Sequence, residues 1–239
     1  MADSRPMSTV NVPDGVQNEV PATARPRSGS RWWAYVGVLA GVAGIVGIQA
    51  SMSIDAVYAE ASAGDAVAIM NGLAEQRTGI LVMHVSIMTT ALLILVFAAG
   101  LSQRLRAALP AESILPSVAA FGLVLTSAAC LLGTGLTTEL VFGLGDTDQL
   151  VPEFAVVGGH WMGTIPWLWA GAGVSALAVA VALLRRQAGP RWIGWVSLVL
   201  GLVTAVIGVS PLQYLAGFTG PLWVLVSAIG FAFADTVRE

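Results

Sequence analysis

Lysine is missing from this chain: all eleven basic residues are arginine, and they stand in short blocks between long apolar runs. Charged residues make up only 10% of the 239 positions against 56% hydrophobic, a balance that places the chain among membrane proteins and gives no support for nucleic-acid binding. Cysteine occurs once, at Cys130, which excludes an intrachain disulfide and two-cysteine redox chemistry and leaves a small apolar residue in a helix. The apolar runs hold no paired carboxylates and no arginine, so the usual parts of a proton-coupled relay are absent. No phosphate-binding glycine loop appears, and no nucleophile with its base, so nothing points to catalysis.

What is present is length. Six apolar stretches, at about 32–53, 80–101, 114–136, 154–184, 192–209 and 212–234, are each long enough to cross a hydrocarbon core of about 30 Å. The expected fold is all-α, a polytopic membrane protein built as a six-span helical bundle, with residues 1–30 as a disordered tail rich in Pro, Ser and Thr. The fourth stretch, from Phe154 to Arg185 and Arg186, is the longest. It overshoots the core at about 46 Å of helix and contains Pro166 with three tryptophans. The sixth contains Gly220 and Pro221, where a bend or an unwound turn is expected, since the run after Pro221 is too short to span alone. In the first, Gly37, Gly41, Gly44 and Gly47 offer a face on which another helix backbone can lie close. Between the first two, Val67, Met70, Leu73 and Ala74 recur behind Asp65 at helical spacing, which suggests a short amphipathic helix along the membrane surface.

The arginines set the sidedness. With six spans, Arg25, Arg27, Arg31, Arg104, Arg106, Arg185, Arg186, Arg191 and Arg238 share one side with both termini. Arg77 falls on the other side, among Asp55, Glu60, Asp65, Glu75, Glu139, Asp146, Asp148 and Glu153. The positive-inside rule then puts both termini in the cytoplasm. All-arginine usage with much Ala, Gly and Val suggests a high-GC bacterial source, hence a bacterial plasma membrane.

His84 and His160 are the only histidines and sit near the acidic ends of their spans. Ionisable residues inside spans are candidates for function, and two facing imidazoles suit haem iron or copper. Met88, one turn from His84 on the same face, would add a soft ligand for copper, whereas Met83 and Met162 point elsewhere. Ser86, Thr89 and Thr90 fall off the His84 face, so a hydrogen-bond partner for that ring must come from a loop or another helix. The first expectation for function is a helical membrane scaffold or accessory subunit, with the lipid bilayer and a membrane-protein partner or a second copy of the chain as its company. A haem- or copper-binding bis-histidine protein and a small transporter or lipophilic-ligand-binding protein are the alternatives.

Overall fold

Eight α-helices and four short 3-10 turns, with no strand, make up the described residues 31–234 of the computed structural model. They are α1 (Trp32–Ser51), α2 (Ala66–Glu75), α3 (Arg77–Ala108), α4 (Leu115–Gly143), α5 (Pro152–Met162), α6 (Ala170–Arg185), α7 (Arg191–Gly208) and α8 (Ala216–Phe233). The tail expected over 1–30 lies outside the described residues. Six helical segments are long and apolar enough to cross a membrane, the fourth being α5 and α6 together and the sixth α8 with the turn before it. The protein is a multi-pass helical bundle.

The spans pack in chain order round a closed ring: α1 on α3, α3 on α4, α4 on α6, α6 on α7, α7 on α8, and α8 back on α1. Small residues and hydroxyls, which let backbones approach in a setting without a hydrophobic driving force, account for these contacts. A methyl group on Gly41 would sit 2.7 Å from the Leu225 backbone on α8, and one on Gly47 2.6 Å from Ile87 on α3, so the glycine face of α1 is wedged between two neighbours. On the far side Gly173, Gly201 and Gly208 similarly seat α6 against α7. Ser175 donates to the Ala119 carbonyl at 2.7 Å and joins α6 to α4, and Ser127 donates to the Ala91 carbonyl at 2.7 Å and joins α4 to α3. Arg31 reaches the Ala232 carbonyl at 3.2 Å, which fastens the start of α1 to the end of α8.

Helix ends depart from the apolar boundaries. α3 continues past Leu101 to Ala108 and stops where Pro110 forces the preceding Leu109 into extended backbone. α4 continues two turns past Leu136, the end of the apolar stretch, so Thr137 is a helical residue. The short helix expected behind Asp65 is α2, and the Asp65 carboxylate caps it by accepting from the Val67 and Ala68 amides at 3.0 Å each. Met70 and Leu73 of its apolar face are buried and the helix packs on α5, while Val67 is exposed.

The expected break is also elsewhere. α8 runs unbroken through Pro221, whose ring packs against α1 at Gly44; the missing amide costs one bond near the helix start and does not unwind it. It is the fourth span that is interrupted, between Met162 and Ala170.

Candidate functional site

The interruption has a local cause. Pro152 opens α5 at a first-turn position, and Gly158, Gly159 and Gly163 weaken the helix just before Pro166 removes a backbone donor. The chain turns through a single 3-10 turn at Ile165–Trp167 and restarts as α6. Inside a bilayer, freed carbonyls need partners from protein. Two tryptophans supply them: the Trp167 indole donates to the Met162 carbonyl and the Trp169 indole to the Pro166 carbonyl, each at 3.0 Å. Both rings are fully buried. Cys130 on α4 adds its thiol to the Pro166 carbonyl at 3.7 Å, and Thr164 bonds back to the His160 carbonyl at 2.8 Å. Gly133 on α4 admits the turn, since a methyl group there would lie 2.6 Å from Pro166 Cα.

Beside this break lies a cavity of about 430 Å³, a size typical of small-molecule sites. It opens at the acidic end of the bundle, among the end of α1, the connection to α2, α3, the end of α5 and the turn before α8. Met83 and Met162, 0% and 1% exposed, form its floor; Met52 and Tyr58, 57% and 58% exposed, stand at its mouth. Thr164, Tyr214, Ser51 and Asp55 bring polar atoms to the wall.

Each wall residue is held in place. Ser51 donates to the Ile48 carbonyl at 2.8 Å, so in its 3.0 Å bond with Tyr214 the phenol is the donor. The connection after α1 is clamped by Gln76, which donates to Asp55 Oδ1 at 2.6 Å and accepts from the Ala56 amide at 3.3 Å. Gly159 on α5 and Gly163 just past its end let Val57 and the Tyr58 phenol lie down there, where methyl groups would collide with both. The Tyr58 hydroxyl titrates above its usual value near 10, first because burial disfavours the phenolate and second because Tyr214 is close.

The histidines flank this region and take separate partners. His84 is half-buried and bonds through Nδ1 to Thr137 on α4. The Thr137 hydroxyl itself donates to the Thr134 carbonyl at 2.7 Å, so His84 Nδ1 is the donor and Nε2 carries the lone pair. One turn on, the Thr134 hydroxyl lies 3.0 Å from both the Cys130 carbonyl and the Met88 sulfur, a second polar contact down the α3–α4 seam. His160 is exposed at the end of α5 and stacks edge to face with Tyr58, centroids 5.5 Å apart at 76°. No hydrogen bond or ring contact joins the two histidines among the described residues, and α4 stands between their spans in the ring. No cluster of three or more His, Cys, Asp or Glu side chains is placed to hold a metal ion among the described residues.

Sequence reasoning missed Tyr58 and Met52 and did not join Tyr214 and Asp55 to them, because the four come from connections and helix ends that only the fold brings together. Compared with known protein families, curated proteins and solved structures, the chain shows no match.

Proposed function

We propose that the chain is a plasma-membrane protein, of bacterial type with both termini cytoplasmic, that holds a lipophilic ligand in the outward-facing cavity at the break in its fourth span. The observation that carries this reading is the cavity of about 430 Å³ with a thioether floor and a polar wall converging from four separate parts of the chain. A mostly apolar volume with a few placed polar groups is what a small-molecule site requires. The volume favours this role over that of a scaffold or accessory subunit, which needs no internal space. Backbone spent on a broken helix, with two tryptophans to shield it, supports the same reading, since irregular backbone at membrane depth goes with cavities.

The test uses the full chain in nanodiscs with the neutral fluorophore N-phenyl-1-naphthylamine. Saturable binding is expected, and Met52→Trp at the exposed mouth should weaken it about tenfold by occupying part of the volume. Binding that does not saturate, or that Met52→Trp leaves unchanged, contradicts the proposal. For sidedness, cysteines at Asp65 and Asp146 should label from outside intact cells while those at Ser102 and Gln187 should not; the reverse pattern inverts the topology.

A further inference from the structure

We infer that the ligand of this cavity is a lipophilic organic cation, an ammonium or phosphonium centre carrying apolar groups, with Asp55 as its counter-charge. The inference rests on the cavity being the binding site and adds the sign of the ligand. Asp55 is the one charged side chain among the described residues that line the volume. Its partner there is the Gln76 amide, which fixes the carboxylate without cancelling its charge. The nearest arginine in sequence, Arg77, is turned to α4, where its Nε donates to the Val141 carbonyl at 2.6 Å.

The remaining chemistry agrees in sign. Tyr58 and Tyr214 line the volume, and the face of an aromatic ring attracts a cation. Methionine thioethers are soft and polarisable, and they adapt to apolar groups of irregular shape. The helix ends and connections at this end carry Glu60, Asp65, Glu75, Glu139, Asp146, Asp148 and Glu153, a field that draws cations toward the mouth and disfavours anions. An anionic lipophile would place like charges together with no arginine at the wall to receive it.

Tetraphenylphosphonium and tetraphenylborate share shape and bulk and differ in sign, so they isolate this feature. Each is titrated against bound N-phenyl-1-naphthylamine on the full chain in zwitterionic nanodiscs, and each affinity is read as the ratio between wild type and variant, which removes partitioning into lipid. Asp55→Asn, which keeps size and hydrogen bonding, should weaken tetraphenylphosphonium about fivefold and leave tetraphenylborate unchanged or tighter. Glu60→Gln, an acid at the same end but off the wall, should change neither by as much as about twofold. If the naphthylamine binds and Asp55→Asn affects both ions alike, the cation inference is overturned while the cavity reading stands. If the naphthylamine itself does not bind saturably, both fall together.

Discussion

Replacing the two indoles that shield the break should cost stability in a definite order. In Trp167→Phe the buried ring is largely kept, but the Met162 carbonyl loses a donor at 3.0 Å. A buried acceptor left without a partner costs about 1–3 kcal/mol, so about 2 kcal/mol is expected. In Trp169→Phe the Pro166 carbonyl also loses a donor at 3.0 Å but keeps the Cys130 thiol at 3.7 Å, so about 1 kcal/mol is expected. Adding Cys130→Ala to Trp169→Phe should bring that cost up toward about 2 kcal/mol, because the last donor is gone. Trp195→Phe, 55% exposed on α7, is the control and should stay within about 0.5 kcal/mol. Unfolding in mixed SDS and mild-detergent micelles, followed by far-ultraviolet circular dichroism, reads the four variants without relying on tryptophan emission. Equal, near-zero effects at Trp167 and Trp169 would mean that the freed carbonyls are satisfied by other means and that the indoles do not hold the break.

The packing makes three further predictions. Gly41→Ala should destabilise by about 1–3 kcal/mol, since its methyl group meets the Leu225 backbone at 2.7 Å, whereas Gly135→Ala, with open space beside it, should be neutral or gain up to about 1 kcal/mol of helix propensity; the same unfolding assay separates them. His84→Ala and Thr137→Val should each destabilise modestly and show a coupling of about 1 kcal/mol in a double-mutant cycle, and additive effects would deny that the two side chains act as a pair. Because the folded pKa of Tyr58 is raised, its contribution to stability is complete below pH 10 and is lost as pH rises beyond that; Tyr58→Phe should flatten the fall, and an unchanged alkaline limb would refute the assignment.

The spans were legible because apolar runs of bilayer length have a single physical cause, the absence of water. Their ends were not, because the apolar pattern marks the hydrocarbon layer while the helix continues until something stops it, as Pro110 does after α3. That is why Thr137, one residue past the stretch at about 114–136, is a helical residue and the partner of His84. The glycine face of α1 was suggested by the spacing at 37, 41, 44 and 47, and the contacts with α3 and α8 bear it out. The break was misplaced for a different reason. Proline at 166 and at 221 looks equivalent in sequence, but Pro221 falls near a helix start and packs on Gly44, whereas Pro166 follows three glycines and is met by two indoles and by Gly133. The cavity was the least legible feature. Met83 on α3 and Met162 at the end of α5 belong to different spans, and they meet in the cavity floor only because the fold brings those spans together.

The most direct measurement of the cavity's role is photocrosslinking of the full chain in native membranes with a diazirine-bearing lipophilic ammonium, followed by peptide mapping. Modification concentrated on Met52, Tyr58, Met83, Met162 and Tyr214, and competed by excess tetraphenylphosphonium, is the predicted result. Labelling confined to lipid-facing positions such as Val199 and Leu202 of α7, with no competition, would contradict it.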